Sequence, residues 1–461
     1  MRRDNLRLKS VVVALILFLA LLSANRVFAA AEITPIKHVI AIMQENHSFD
    51  NYFGTYPTAN GSLVNSITSK LQPVDGLPVG VCLPQGTTCV SPYPASASNT
   101  LNPIEGQVIY EQDYAAGKMN GFAQFSGTQA MAYFDYHQIA AYWDYAEEYG
   151  LADRYFASAL STTTPNRLLL MAGDSPVANN YGPPPYLEYN RTILDELDAH
   201  GLSWGYFDFV NASGSSKNVY PFNYFLNSTS QISDVSKFLG DLSSGTNLPA
   251  VSFVNSLGSG AFDEHPPENV TDGELWVVSI VNAVMSSSYW DSSVVLITWD
   301  EGGGYFDHVA PPQLFTIENG NQSLSGYGQR VPLLVISPYA KENYVSESVL
   351  NHMSIVRFIE YNWNLPTLNR NVMASNNLLE FFDFASPPRP PIILGEPGQF
   401  TPTVYPIPLQ GSVNQTVSIS TSAVSSWMPS MSNLLAALVV VAVILLLTMA
   451  RRRAQRKKSI Q

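Results

Sequence analysis

Short apolar runs alternate with amphipathic helical patterns along the central part of the chain. Five runs have the length and composition of buried strands, at residues 36–43, 203–209, 250–254, 293–299 and 331–336. Helical patterns lie between or after them, at residues 135–149, 192–200, 272–285 and 353–361. This alternation is typical of a parallel sheet packed between helices. The sequence therefore predicts an α/β fold with a mostly parallel central sheet covered by helices on both faces.

Two longer apolar segments lie outside this alternation. Residues 11–22 follow Arg2, Arg3, Arg7 and Lys9 and precede a run of small residues, which predicts a secretory signal peptide over residues 1–29. Residues 432–450 approach the length of a membrane-spanning helix. Because the basic tail at 451–461 follows directly, the positive-inside rule places that tail in the cytoplasm and the preceding chain at the cell surface.

Composition divides the remaining chain into two parts. Residues 386–431 are rich first in proline and then in serine, threonine and valine, which predicts an extended stalk. Residues 32–385 have the length of a single α/β enzyme domain with insertions. Within them, the segment 57–107 is rich in Pro, Gly, Ser and Thr and predicts a long functional loop or a cap over a site.

Charge and cysteine content narrow the classes of partner. Between the predicted signal peptide and the tail, 13 Lys and Arg residues stand against 36 Asp and Glu residues, which argues against nucleic acid as a partner. Cys82 and Cys89 in CLPQGTTC predict a small disulfide-closed loop and exclude a cysteine-rich metal site. Several Asn-x-Ser/Thr triplets predict glycosylation if the host glycosylates, although such triplets also arise by chance.

Two of the predicted strands end abruptly in polar residues. In HVIAIMQENHSFDNYFG, residues 38–54, the apolar run stops at Glu45 and Asn46. In SVVLITWDEGGGYFDHVAPP, residues 293–312, it stops at Asp300 and Glu301, and His308 follows three glycines. Oxygen ligands at the carboxyl ends of parallel strands suit a divalent metal ion. Either stretch alone is equally consistent with a polar turn, and the two together favour a site.

Two further stretches carry candidate chemistry. FDEHPPENVTDGELW places His265 between acidic residues and a proline pair, ahead of a helical pattern. STTTPNR sets four consecutive hydroxyl residues, 161–164, before an apolar helix. A hydroxyl near a helix N-terminus is placed to act as a nucleophile on a bound phosphate. The simpler interpretation is that these residues only cap the helix.

In this order, MQENHSFDNYFG, STTTPNR, DEHPP, ITWDEGGGYFDHVAPP and RVPLLVISPYA followed by NHMSIVRFIE resemble the motif series of the phosphoesterase family. The resemblance covers most of residues 36–366. That family includes bacterial phospholipases C and acid phosphatases, and it belongs to the alkaline phosphatase-like superfamily. The resemblance implies an alkaline phosphatase-like sandwich and a hydrolase that acts on phosphate monoesters or diesters, with phospholipid headgroups among the candidate substrates. It leaves open which of the two ester types is cleaved.

The resemblance also implies roles for individual residues. One or more divalent metal ions are expected, and the implied ligands are Glu45, Asn46, Thr163, Asp300 and Glu301. Thr163 is implied to be the nucleophile as well, and two histidines are implied to lie on the phosphate side of the site, His265 and His308. Thr164 is the competing hydroxyl, and its position directly before Pro165 favours a capping role.

One segment departs from the family pattern. Met119-Asn120-Gly121-Phe122 stands where the family often has Met-Asp-Gly-Phe, and a common upstream histidine is replaced in the region of Glu111, Gln112 and Asp113. This departure weakens the case for a phosphate contact from this segment. Neither cysteine lies in a Cys-x-Pro-Ser-Arg context, which disfavours sulfatase chemistry. The alternative to an enzyme is a glycosylated surface or adhesion ectodomain that keeps this fold without catalysis.

Overall fold

The structure is a computed structural model. It describes residues 30–395 except 60–61, 64–71, 181–185, 188–191, 210–222, 225–230, 257–261, 314–315 and 320–321. The predicted signal peptide, the predicted membrane helix at 432–450 and the basic tail lie outside these residues. In the part of the chain that is described, no helix has both the length and the hydrophobicity that a bilayer-spanning helix needs.

A sheet of eight strands forms the centre of the fold. Its spatial order is β4-β3-β5-β1-β6-β7-β2-β8, and β7 alone among these strands runs antiparallel to its neighbours. The strands are β1 His38–Gln44, β2 Gly150–Ala152, β3 Trp204–Asp208, β4 Ile232–Asp234, β5 Val251–Val254, β6 Ser293–Trp299, β7 Leu333–Ile336 and β8 Tyr344–Ser346.

Helices flank the sheet in two groups. Helices α4 and α7 contact α8, whereas α5 contacts α6 and α9, and α9 contacts α10. The α-helices of the described residues are α1 Phe49–Phe53, α2 Gln107–Tyr114, α3 Phe122–Phe125, α4 Tyr136–Glu148, α5 Thr163–Ala172, α6 Ile193–Ala199, α7 Val235–Ser244, α8 Val270–Met285, α9 His352–Asn362 and α10 Arg370–Ala374. The predicted fold class is confirmed: a mostly parallel central sheet with helices on both faces.

Short strand pairs and single helical turns complete the described chain. The pairs are Thr58–Ala59 with Ser62–Leu63, Leu83–Gln85 with Thr88–Val90, Tyr93–Pro94 with Ala132–Tyr133, Tyr155–Phe156 with Leu350–Asn351, Tyr186–Leu187 with Asn223–Tyr224, and Thr316–Asn319 with Gln322–Ser325. The 3₁₀ turns are Ala115–Gly117, Thr128–Met131, Trp290–Ser292 and Leu379–Phe381. Cys82 and Cys89 form the predicted disulfide, which closes the hairpin of the second pair.

The register of the two central strands positions the candidate site. Strand β1 pairs in parallel with β6, and Gln44 lies opposite Trp299. Both strands are almost wholly buried, as continuous apolar strands of parallel sheets are. Because the two strands end at the same level, the polar residues that follow each of them emerge together at one edge of the sheet.

The first residues of the predicted stalk lie against the globular part. The Arg389 guanidinium lies over the Tyr149 ring, 4.8 Å from its centroid, and the Arg389 carbonyl accepts a hydrogen bond from Trp290 Nε1 at 3.0 Å. Farther along, Asn282 Nδ2 donates to the Leu394 carbonyl at 2.9 Å. Residues 386–394 are therefore attached to the domain surface, and the stalk farther on lies outside the described residues.

Candidate active site

The residues that follow β1 and β6 meet at one edge of the sheet. The Asp300 amide donates to the Gln44 carbonyl at 3.1 Å, and the Asn46 amide donates to Asp300 Oδ1 at 3.2 Å. The Glu45 amide donates to the Asp263 carbonyl at 2.9 Å, which brings in the loop that carries His265. The structure thus brings together the acidic strand ends that the sequence singles out.

Asn46 presents a buried, unpaired side-chain oxygen beside the strand-end acids. Its backbone has a φ of 66°, a left-handed conformation that asparagine tolerates better than most residues. The side chain is fully buried, and Nδ2 donates to Glu105 Oε1 at 2.9 Å. The buried Oδ1 has no hydrogen-bond partner in the described part of the chain, although buried polar atoms are normally paired. An unpaired amide oxygen among carboxylates fits a hard divalent cation.

The carboxylates of Glu45, Asp300 and Glu301 at the strand ends form the acidic cluster. Helix α5 brings a hydroxyl and a guanidinium to it. Thr163, at the first position of the helix, has Oγ1 3.4 Å from Glu45 Oε2, at the long end of hydrogen-bonding range. Arg167 is one turn farther along, on the same face of the helix. Its Nη2 lies 2.8 Å from Glu45 Oε1, and its Nε lies 3.2 Å from Asp300 Oδ2. The N-terminus of α5 therefore faces the acidic cluster.

The neighbouring hydroxyl residues are directed elsewhere. Ser161 Oγ donates to the Ala178 carbonyl, and Thr162 Oγ1 donates to Asn180 Oδ1 at 3.0 Å. The capping role expected for Thr164 is wrong, because Thr162 is the residue that precedes the first turn and Thr164 is the second helical residue. Asn180 Oδ1 instead accepts from the Thr164 amide at 2.7 Å, so a side chain from outside the helix caps it.

The acidic cluster carries more negative charge than Arg167 offsets. Burial and the nearby Asp300 raise the pKa of Glu45 well above its usual value, although Arg167 opposes this shift. Burial and Asp300 likewise raise the pKa of Glu301, whose Oε1 accepts from Tyr110 Oη at 2.9 Å. Taking buried carboxylates out of water favours their neutral form unless a cation compensates. The excess of buried carboxylates and the unpaired Asn46 oxygen are therefore both compatible with a bound cation.

His265 lies at the more open side of the cluster. Its Nδ1 is 2.7 Å from the Pro266 carbonyl, so this nitrogen carries a proton and donates. Its Nε2 is 3.9 Å from Glu105 Oε2, and 37% of the side chain is exposed. Glu105 therefore links His265 to Asn46. Nε2 remains available to give or take a proton near the acidic cluster.

His308 belongs to a separate buried ion cluster. Its Nδ1 lies 2.7 Å from Asp50 Oδ2 and its Nε2 lies 3.1 Å from Asp75 Oδ1. Arg330 is fully buried at the centre of this cluster, where it pairs with Asp50, Asp153 and Asp307. Among the described residues, none of the hydrogen bonds of His308 reaches the strand-end acids. Its catalytic role stays a prediction.

Sequence reasoning missed three residues of the site. Arg167 stands in STTTPNR, and the signal that it is one helical turn after Thr163 was present in the sequence. Glu105 lies in the segment predicted as a loop or cap, and Tyr110 lies on α2, which no pattern predicted. Neither had a motif of its own. Both reach the site through the tertiary fold alone.

Carboxylates and an unpaired amide oxygen at the end of a parallel sheet, with a hydroxyl at a helix N-terminus beside them, are groups with which a phosphoric ester hydrolase can hold a metal ion and attack phosphorus. The model of the Phosphoesterase family matches residues 36–366, and the chain belongs to that family. The predicted family is thereby confirmed.

Proteins similar to this chain include phospholipases C of a bacterium and a plant. Phospholipase C A of Mycobacterium tuberculosis is 27% identical over 419 residues, which cover 77% of this chain and 79% of that protein. Non-specific phospholipase C6 of Arabidopsis thaliana is 26% identical over 366 residues, covering 72% and 69%. Among solved structures, a protein in the alkaline phosphatase superfamily from Vibrio parahaemolyticus is 11% identical with a TM-score of 0.38, covering 77% of this chain and 71% of that one.

Proposed function

We propose that the protein is a metal-dependent hydrolase of phosphoric diesters of the phospholipase C type, with Thr163 as the nucleophile. One observation carries the proposal: Thr163 Oγ1 lies at a helix N-terminus, 3.4 Å from Glu45 Oε2, within the cluster that contains the unpaired Asn46 oxygen. The names of the relatives support cleavage of a phospholipid headgroup ester over a phosphate monoester.

The residues placed to hold a divalent metal are Glu45, Asn46, Thr163, Asp300 and Glu301. When bound, the metal supplies positive charge that lowers the pKa of the Thr163 hydroxyl and neutralises the phosphate. Arg167 pairs with Glu45 and Asp300, so it orients these carboxylates and is not free to bind substrate.

The chain's own groups then divide the reaction into two steps. Thr163 Oγ1, with its proton released to solvent, forms a bond to phosphorus while the bond to the leaving oxygen breaks. The partial positive charge at the N-terminus of α5 stabilises the phosphoryl oxygens. His265, as the imidazolium, donates its Nε2 proton to the leaving oxygen and afterwards takes a proton from the water that releases the phosphate monoester from Thr163, whose Oγ1 regains a proton from solvent. His265 returns to its starting form.

We also propose that the enzyme acts outside the cytoplasm and is anchored by residues 432–450. The predicted signal peptide and the basic tail support this topology. The Cys82–Cys89 disulfide is consistent with an oxidising compartment. A stalked catalytic domain reaches both soluble esters and the headgroups of neighbouring lipids.

The assay that tests the function uses the full-length protein in detergent. It compares p-nitrophenyl phosphorylcholine with p-nitrophenyl phosphate, before and after removal of metal by a chelator. We expect turnover of the phosphorylcholine diester that disappears with chelation and returns with a divalent metal. Folded protein that turns over neither compound with any added metal would favour the non-catalytic ectodomain.

One substitution connects the activity to the strand ends. Asp300→Asn removes a carboxylate charge with little change in shape, so bound metal and turnover should fall together while the protein still folds. Elemental analysis of the purified variant measures the first, and thermal unfolding checks the fold. Unchanged metal content would remove Asp300 from the ligand set.

A further inference from the structure

Glu264 is a fully buried acid for which the proposed reaction has no use. It lies between Asp263 and His265, in a left-handed backbone conformation with a φ of 69°. Four side chains donate hydrogen bonds to its carboxylate: Gln44 Nε2 at 3.1 Å, Tyr52 Oη at 2.7 Å, Tyr142 Oη at 2.5 Å and Trp299 Nε1 at 2.8 Å.

The sequence neighbours of these groups are the residues of the candidate site. Gln44 directly precedes Glu45, Trp299 directly precedes Asp300, and Glu264 itself directly precedes His265. The Glu264 carbonyl also accepts from His47 Nε2 at 2.9 Å, and His47 directly follows Asn46. One residue therefore connects the two strand ends that carry four of the five implied ligands with the loop that carries the proton-transferring histidine.

We propose that Glu264 is a positioning residue that holds the ends of β1 and β6 and the His265 loop in the arrangement that binds the metal. The ladder between β1 and β6 fixes their register as far as Gln44 and Trp299. Beyond these residues the ladder ends, so other contacts have to set the directions of the ligands. This inference rests on the metal site of the proposed function.

Burial raises the pKa of the Glu264 carboxyl to about 7, while the four donors act in the opposite direction. The donors thus favour the ionised form, which accepts hydrogen bonds at both oxygens. Hydrogen bonds of this kind in an interior without water orient the groups that make them more strongly than exposed ones do.

The Glu264 side chain occupies space that is open because residue 273 is a glycine. Gly273 on α8 lies against the Glu264 side chain, and a Cβ at position 273 would lie 2.2 Å from Glu264 Cγ and 2.9 Å from Oε1. Gly273→Ala would therefore displace the Glu264 side chain without changing any polar group. Alanine favours the helix more than glycine does, so the variant is expected to fold.

The experiment measures metal binding by chelator-treated, full-length protein. Isothermal titration with Mn²⁺ should show about 10- to 100-fold weaker binding for Glu264→Gln, the range typical of residues that orient metal ligands. Glu274→Gln is the matched control, because Glu274 is an equally buried acid on α8 that accepts from the Tyr142 amide at 2.9 Å. Its binding of Mn²⁺ should stay within twofold of wild type. Thermal unfolding without metal compares the stabilities of the two variants.

A second pair of variants decides the question if Glu264→Gln does not fold. Gly273→Ala should weaken Mn²⁺ binding, whereas Gly240→Ala should not, because a Cβ at position 240 of α7 would have no atom within 4 Å. Unchanged Mn²⁺ affinity in folded Glu264→Gln, or in Gly273→Ala where Glu264→Gln does not fold, would overturn the inference alone. Wild-type protein that binds no Mn²⁺ or other divalent metal would overturn the proposed function, and the inference with it.

Discussion

The N-terminus of α5 places one hydroxyl of four against the acidic cluster. Thr163 lies over Arg167 on one face of the helix, and both contact Glu45. The side chain of Asn166 ties the preceding loop to the helix, because its Nδ2 donates to the carbonyls of Ser161 and Thr162. The loop geometry that aims Thr163 is therefore set within a few residues of the chain.

Thr163→Ala is expected to lower turnover by at least about 10³-fold, because it removes the nucleophile while the buried ion pairs of Arg167 remain. Thermal unfolding should change little, since Oγ1 makes a single long hydrogen bond. Thr163→Ser keeps the hydroxyl and should keep measurable turnover. With p-nitrophenyl phosphorylcholine as substrate, peptide mass spectrometry after acid quenching should find a phosphorylcholine group at position 163; the same group on Thr162 or Thr164 instead would contradict the assignment.

His308 is coupled to its cluster strongly enough to affect stability. Burial lowers the pKa of its imidazole, but the hydrogen bond and charge of Asp50 outweigh burial and raise it to about 9. An unperturbed histidine has a pKa of about 6.5. Because the folded value is the higher one, the stabilisation is fully present below pH 6.5 and is lost as the pH rises through 9. It amounts to about 3 kcal/mol.

The free energy of unfolding should therefore fall between pH 6.5 and 9.5 in the wild type, and His308→Gln should flatten this fall. Denaturant titrations at four or five pH values measure the difference between the two proteins, so other groups that titrate in the same range cancel. His137→Gln is the control, because 56% of that side chain is exposed. Parallel curves for wild type and His308→Gln would show that His308 is not held charged by Asp50.

Among the strands of the central sheet, those of four or more residues were predicted and the three-residue strands were not. Strand β6 was predicted at 293–299 and has those bounds, since five of its seven residues are apolar and the whole strand is buried in a sheet covered on both faces. The three-residue strands β2, β4 and β8 were missed, because three residues are too few to show a period. They form by pairing with strands that are distant in sequence.

The candidate site was predictable to the same extent. Its strand-end residues follow apolar runs and could be read from the sequence, whereas Glu105 and Glu264 depend on how separate segments pack. Glu264 stands beside His265 in DEHPP, and nothing in that motif indicates that its carboxylate receives donors from β1, α1, α4 and β6. The local sequence identifies the groups that do the chemistry, and the tertiary contacts identify those that orient them.

At the scale of the whole molecule, the net charge of the protein and the charge of a phosphate group are both negative. The chain between the predicted signal peptide and the tail carries an excess of acidic residues, so the net charge of the protein does not attract the phosphate group of a substrate. Attraction has to be local, from the N-terminus of α5 and from a cation held by the strand ends. This explains why we expect chelation to reduce substrate binding as well as turnover.

The orientation of the chain in the membrane can be tested by proteolysis of intact cells. The expected orientation follows from the two terminal apolar segments and the basic tail, and the expected cleavage site follows from the packing of residues 386–394. Because Arg389 and Leu394 contact the domain, protease added to intact cells should cut beyond residue 395 and before residue 432, where the sequence is rich in Pro, Ser and Thr. The released fragment should be soluble and hydrolyse p-nitrophenyl phosphorylcholine, while an epitope placed after Gln461 stays protected. Permeabilised cells serve as the control, in which the epitope should be digested. Digestion of the epitope in intact cells, with the catalytic domain protected, would show the opposite orientation in the membrane.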